Sequence, residues 1–363
     1  MPAGAGPLLV GGMAFSERAA GEGPWASLPP ALLTMPEVLI AGTTERRLLT
    51  VCALAGPGVD PDAVRSRLAS RLAGLRSRPL PPLDPAPTGP VEVSSARPPA
   101  SYERAVAEAV ATIRGGHMKK LVLAREVRIT APAAHDPAPI FGALRGAFGS
   151  CFVFCVGTPE AAFVGASPEL LVRRSGAVAA TVALAGSARR SADPAVDDHL
   201  GEQLRHSRKD RSEHAIVAER IERRLAPVSV WVERATEPVV IRVANIQHLA
   251  TPIHAQLAES RSVLELAELL HPTPAVGPEP RGPGGEEMIA GLEQLERGWY
   301  AGPVGWMDAV DDGEFCVALR SALLRDRTAH LYAGAGIVAG SDPAAELAET
   351  EIKLGALLPL LAG

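Results

Sequence analysis

Aromatic side chains are scarce in this chain, at 4% of its 363 residues. Proteins that grip single-stranded nucleic acid stack bases on such rings. No lysine- or arginine-rich block with interleaved aromatics makes up for the shortage, and the formal net charge is -5. Nucleic acid is therefore disfavoured as a ligand. Cysteine is sparse too. The four thiols, Cys52, Cys151, Cys155 and Cys316, lack metal-type spacing, and Cys151 and Cys155 alternate with Phe and Val in an apolar run. Buried free thiols in a reducing compartment are the expectation. No apolar run approaches the length of a membrane span, and the N-terminal MPAGAGPLLVGGMAF lacks the basic region of a signal peptide. Both point to a soluble cytoplasmic protein without membrane contact. Walker A, GxSxG and a GxGxxG following a strand are all missing, which removes the commonest phosphate-binding, hydrolase and dinucleotide signatures.

What is present is a large apolar fraction, 47%, enough for one large domain or two intimately packed lobes. The 35 glycines and 33 prolines stay below the roughly 25–30% share of low-complexity chains. Residues 1 to about 77 mix short apolar runs with glycine-rich turns and a helix over 60–75. The proline-dense stretch 78–100 then reads as an extended connector, separating an N-terminal portion, 1–100, from a catalytic region, 101–363. Beyond it the spacing predicts a helix over 101–113, a strand at LVLAREVRI, strands at 151–157, 161–166, 170–174 and 178–184, and helical patterning over 197–225. A strand VVIRVANI, helices at 261–270 and 286–297, a hairpin 303–310/314–319 turning at Asp311-Asp312-Gly313, and a strand 331–338 complete the pattern. Strands joined by short turns imply antiparallel sheets, hence an α+β fold. No internal repeat is visible.

Two acidic pairs stand out. In SDPAAELAETEIKL a helix opens at Ser341-Asp342-Pro343 and puts Glu346, Glu349 and Lys353 on one face. In RHSRKDRSEHAIVAERIERRL, Asp210 and Glu213 share another face, apart from the apolar one. Either pair alone is accounted for by a solvated helix face or by pairing with Arg205, Arg208 or Lys209. Together they offer an all-oxygen set suited to Mg²⁺. Glu169 follows a Gly-Ala-Ser-Pro turn beside an apolar strand, where a raised pKa would make it a proton donor. Lys120 enters LVLAR and is a base if burial lowers its pKa; otherwise it is a surface lysine. His248 and His271 have no metal spacing. From residues alone the reading stops at a Mg²⁺ enzyme acting on an anionic substrate.

Taken together, KLVLAR, VGASPELLVR, LAGSARR, KDRSEHAIV, IQHLATP, LLHPTPAVG, ERGWYAGPVGW, ALRSALL and YAGAGIVAGSDPAAELAETEIKL resemble the chorismate-utilising enzymes, most closely isochorismate synthases. The resemblance runs from Lys120 to the C-terminus. It implies two large antiparallel sheets packed together and surrounded by helices, binding chorismate with Mg²⁺. By the same resemblance Glu213 and Glu349 are the metal-ligating carboxylates, with Asp210 and Glu346 supporting them through water. Lys120 is the base that activates water, and Glu169 the acid for the departing C4 hydroxyl. Arg320 and Lys353 hold the substrate carboxylates, with Ser187, His248, Ala275, Tyr300, Gly334 and Gly336 also at the substrate. Lys120 and the HPTPA stretch distinguish the chain from ammonia-using relatives, so no glutamine amidotransferase subunit is expected, and a monomer is favoured. Salicylate synthase, which goes on to eliminate pyruvate, and a non-catalytic chorismate-binding protein are the alternatives. The product would serve siderophore or menaquinone synthesis. One departure is GPEPRGPGGEEM, richer in glycine and proline than the family pattern after HPTPA; it is expected to alter a loop without touching the acid, base or metal residues.

Overall fold

Short turns between β-rich segments build antiparallel sheets throughout: every strand pairing among the described residues runs antiparallel. The structure is a computed structural model that describes residues 6–16, 23–42, 47–75, 84–243 and 246–363. In chain order it contains β1 (Leu8–Met13), β2 (Ala31–Thr34), the hairpin β3 (Val38–Gly42) and β4 (Arg47–Val51), α1 (Pro61–Gly74), β5 (Glu92–Ser95), α2 (Pro99–Arg114) and β6 (Leu121–Thr130). Next come α3 (Pro137–Ala147), β7 (Phe152–Gly157), β8 (Ala162–Ser167), β9 (Leu170–Ser175), β10 (Val178–Arg189), α4 (Pro194–His206) and α5 (Arg208–Leu225). The chain continues through β11 (Ser229–Arg234), β12 (Val239–Val243), β13 (Ile246–Leu257), α6 (Val263–Leu270) and α7 (Pro283–Glu293). It ends with β14 (Pro303–Asp308), β15 (Gly313–Val317), β16 (Ser321–Arg325), β17 (Thr328–Ile337), α8 (Pro343–Leu354) and α9 (Leu358–Ala362).

A nine-stranded sheet has the order β11-β13-β10-β9-β15-β14-β1-β2, with β12 also on β13, and a six-stranded sheet has the order β5-β6-β17-β16-β8-β7. This is the expected α+β architecture. The core between the sheets gathers Trp25, Phe163, Trp299 and Phe315 with Val217 and Ile221 of α5, so α5 buries its apolar stripe and leaves its acidic face for other use. Among the described residues no helix is long and apolar enough to cross a membrane.

Several boundaries differ from the sequence reading. The connector 78–100 lies partly outside the described residues, and its later part forms β5, an edge strand on β6. The helical patterning over 197–225 resolves into two helices, broken at Ser207, whose extended backbone (φ -64, ψ 119) and side chain cap α5, the hydroxyl accepting from Asp210 N at 3.2 Å. RSALL, given no element of its own, is β16, inserted between β8 and β17. All four cysteines are free, but only Cys316 is buried; Cys155 is exposed and Cys52 and Cys151 are half-buried. Alternation with Phe and Val fixed which face of β7 they take, while β7 itself is the sheet's edge.

Candidate active site

Two crossings between the sheets set the site. The chain leaves the six-stranded sheet after β8 and enters the nine-stranded one at β9, passing through Glu169; it returns between β15 and β16, passing through Arg320. The crossings are hydrogen-bonded to each other: Val317 N donates to Glu169 O at 3.0 Å, and Ala166 N to Arg320 O at 3.1 Å. Glu169 N also donates to Ser167 Oγ at 3.2 Å. Arg320 sits at φ 48, a left-handed backbone that arginine rarely adopts and that persists only when its surroundings enforce it.

Glu169 and Arg320 line a small cavity of about 50 Å³ together with Ser187, Glu213, His248, Ala275, Gly334, Gly336, Glu349 and Lys353. Both sheets and the two acidic helix faces thus converge, with Glu213 from α5 and Glu349 and Lys353 from α8. Lys120, Asp210, Glu346 and Tyr300 do not line this cavity, but Lys120, Tyr300 and Asp210 stand against glycines that do. A Cβ on Gly336 would overlap Glu213 Oε1 and lie 2.9 Å from Lys120 Cε, and one on Gly334 would lie 3.2 Å from the Tyr300 hydroxyl. These glycines let β17 approach side chains that any Cβ would displace. Gly186, at φ +75 in a bulge of β10, turns the strand so that Asp210 packs against it, a Cβ there falling 3.0 Å from Asp210 Cβ.

Three lysines neutralise the carboxylates. Lys120 Nζ lies 2.9 Å from Glu213 Oε1, Lys209 Nζ 2.5 Å from Glu346 Oε1, and Lys353 Nζ 2.6 Å from Glu349 Oε1. Lys353 also donates to Gly334 O at 2.8 Å. The Lys120 contact is close without hydrogen-bonding alignment, so its fully buried Nζ keeps unsatisfied donors. Burial opposes ionisation of Glu349, but Lys353, Ser187 and Lys209 outweigh it and hold the carboxyl down at about 2. Burial and the charge of Glu349 push Glu346 up, and burial with the charge of Glu213 pushes Asp210 up.

Glu169 behaves differently. Burial pushes its carboxyl up to about 8, against the pull of Lys120, Arg320 and Lys353, so near neutral pH it carries a proton. His248 is held neutral, its pKa brought down to about 3 by burial and by Arg320 and Lys353. Because the Gly186 carbonyl, 3.1 Å from Nδ1, can only accept, Nδ1 carries the hydrogen and Nε2 is left to accept from Arg320 Nη2 at 3.4 Å. His248 therefore orients the guanidinium. His271 stands apart, with Nε2 3.0 Å from Phe15 O.

No group of three or more His, Cys, Asp or Glu side chains converges on a metal position among the described residues. The donor set nevertheless suits Mg²⁺, which takes one or two carboxylates and completes its shell with water and substrate oxygens: Glu213 and Glu349 face one cavity, and Asp210 responds to the charges of both. A larger cavity, about 950 Å³, lies elsewhere and is walled mainly by apolar side chains such as Phe141, Phe152, Phe154 and Trp306; its Glu314 is already paired with Arg173. Sequence reasoning missed the orienting role of His248 and the loop around Glu279. The GPEPRGPGGEEM segment does touch Lys120: Lys119 N and Lys120 N donate to Glu279 O at 2.8 and 3.3 Å, and Glu279 N donates to Lys120 O at 2.9 Å. An acid standing alone among prolines and glycines was the available signal.

Comparison with known proteins adds the following. A family described as chorismate binding enzyme matches residues 1–362. The chain is 39% identical over 355 residues to the salicylate biosynthesis isochorismate synthase of Pseudomonas aeruginosa, covering 97% of this chain and 73% of that protein. It is 34% identical over 358 residues to the isochorismate synthase MenF of Bacillus subtilis, covering 99% and 75%. Among solved structures, the menaquinone-specific isochorismate synthase MenF from Escherichia coli superposes with a TM-score of 0.84 at 30% identity, over 99% of this chain and 80% of that one. Anthranilate synthase component I from Streptococcus pneumoniae shares the fold, with a TM-score of 0.79 at 22% identity over 99% and 81%.

Proposed function

The chain belongs to the chorismate binding enzymes, and from that premise we infer that it is an isochorismate synthase, converting chorismate to isochorismate in the cavity between its two sheets. The reaction exchanges a hydroxyl: a water oxygen bonds to ring carbon C2, the ring double bonds shift, and the C4 hydroxyl leaves as water. One water enters and one departs, so the product is an isomer. Hydroxide leaves poorly and water attacks weakly, so both proton transfers need catalysts.

Glu169 gives its proton to the C4 oxygen. The observation that carries this reading is the burial of that carboxyl, whose pKa of about 8 keeps a donor ready at neutral pH. Lys120 takes the proton of the attacking water; its buried Nζ, with donors unsatisfied, stands beside Glu213, and its Cε lies 2.9 Å from where a Cβ on Gly336 would fall. Arg320, oriented by His248, and Lys353 hold the carboxylates of the substrate, with Ser187, Ala275, Tyr300 and the backbone at Gly334 and Gly336 shaping the pocket. Glu213 and Glu349, with Asp210 and Glu346 supporting them, would hold Mg²⁺, and the chemistry it would supply is neutralisation of charge on the substrate's ring carboxylate. Binding requires the cavity to widen, since about 50 Å³ is far below the roughly 300 Å³ of an ordinary ligand cleft. The free cysteines support a cytoplasmic setting.

The test starts from pure chorismate and Mg²⁺, with the product followed by NMR. Isochorismate is expected, with turnover abolished by a chelator and restored by Mg²⁺, and lost in Lys120→Ala while chorismate still binds by calorimetry. Accumulation of salicylate and pyruvate would move the assignment to salicylate synthase; binding without any product would leave a chorismate-binding protein.

A further inference from the structure

The segment GPEPRGPGGEEM carries a buried charge near its start: Glu279 is 5% exposed. Its carboxylate is spanned by Arg220, whose Nη1 donates to Oε1 at 3.2 Å and to Oε2 at 3.0 Å; Arg223 adds a looser contact at 3.9 Å. Its backbone is bound in both directions to Lys120, through the Lys119 N, Lys120 N and Glu279 N hydrogen bonds given above. Arg220 lies seven residues after Glu213 on α5, two helical turns along the same face. The result is a closed circuit: Glu213 of α5 touches Lys120 Nζ, Lys120 is bridged to the backbone of Glu279, and the Glu279 side chain returns to α5 through Arg220.

We propose that Glu279 and Arg220 are positioning residues for Lys120, fixing the entry of β6 against α5 so that Nζ stands at a set distance from the attacking water. Lys120 immediately precedes β6 and follows the irregular stretch from the Gly115-Gly116 turn to Lys119, so the strand ladder alone fixes only one side of it. A lysine side chain is long and flexible; holding its backbone on both sides, and tying the brace to the helix that carries Glu213, limits where Nζ goes. Neither Glu279 nor Arg220 lines the cavity that holds Arg320 and Lys353, so the pair acts on the base rather than on substrate affinity.

The inference rests on Lys120 being the base, and Lys120→Ala is assayed in parallel. Glu279→Gln keeps the shape and the backbone bridge but removes the charge that Arg220 grips. Misplacement of a reacting group by about 1 Å costs on the order of 100-fold; the expected result is a kcat lowered by about 10- to 100-fold, with KM for chorismate changed less than about twofold and a cooperative melt retained. The exchanged pair Arg220→Glu/Glu279→Arg is expected to regain most of the lost kcat. Wild-type kcat in Glu279→Gln, against an inactive Lys120→Ala, overturns the inference alone. So does a parallel change of kcat and KM with a lowered melting temperature, or an exchange that restores the melt and not kcat, either of which assigns the pair to the fold. Near-normal turnover in Lys120→Ala instead removes the base, and with it the reading on which the inference stands.

Discussion

At the scale of single residues, Glu169 gives the sharpest test because its charge state bears on both activity and stability. With its folded pKa raised to about 8 from the usual 4.5, the folded protein holds a proton that the unfolded chain has released between those values. The unfolded state then binds fewer protons, so stability falls as pH rises across that window, by about 1.4 kcal/mol per unit at the limit, and levels off above it. Glu169→Gln removes this slope. In the absence of substrate it is expected to melt progressively higher than wild type between pH 5 and 8, while showing no turnover. The kcat of wild type is expected to fall as pH passes above about 8, where the donor is lost. A melt difference that does not grow with pH would show that the carboxyl is ionised in the fold. Its position after the GASP turn was legible in the sequence; its burial was not, because the groups that enclose it, Val317 and Arg320, lie about 150 residues away. Lys353 and Glu349 were legible as neighbours on one helix face. That Lys209 would hold Glu346 at 2.5 Å was not, since it depends on how α5 and α8 meet over β17.

At the scale of elements, most strands and helices could be read from their periodicity, and the errors share a cause. The polar run from Asp197 to Arg211 carries helical propensity throughout, so propensity gave no reason to stop. What interrupts it is local side-chain chemistry: Ser207 turns its hydroxyl to Asp210 N and restarts the helix, as serine does where it competes with the backbone. The new axis aims Asp210 and Glu213, in the first turns of α5, toward Gly186 and Gly336. Ser207→Ala is expected to lower unfolding stability by about 1 kcal/mol, measured by urea denaturation, and to weaken Mg²⁺ binding in titration calorimetry because Asp210 loses its fixed first turn. An unchanged urea midpoint would mean that packing of Val217 and Ile221 alone defines where α5 begins. β16 escaped notice for a related reason: RSALLR is short and buried on both faces, so it lacks the alternation that marks a half-exposed strand.

At the scale of the whole molecule, the site exists because two sheets are held face to face. Acid and guanidinium occupy the two crossings, the glycines of β17 belong to the six-stranded sheet, and Ser187 and His248 belong to the nine-stranded one. Sliding one sheet over the other would separate them without breaking either sheet. The N-terminal portion, in which the sequence shows no chemistry, contributes to that alignment. β1 extends the nine-stranded sheet by pairing with β14, and the segment after it sends Trp25 across the interface. Fully buried, Trp25 meets Phe163 of β8 at 5.3 Å and Tyr332 of β17 at 5.7 Å between ring centroids. Its indole Nε1 donates to Glu296 O at 3.2 Å, and Gly298 at φ +51 leaves room that a Cβ would fill with the indole ring itself. One side chain from the apparently silent third therefore pins both strands of the other sheet that flank β16. Trp25→Ala is expected to cost about 3–5 kcal/mol of unfolding stability, read from urea midpoints at constant slope. In the fraction that remains folded, KM for chorismate should rise as the Ser187 and Gly334 walls lose their register. A loss of under about 1 kcal/mol, below the usual range for a large aromatic removed from a core, would mean that the sheets are aligned by the crossings alone and that the N-terminal portion is a cover on a core complete without it.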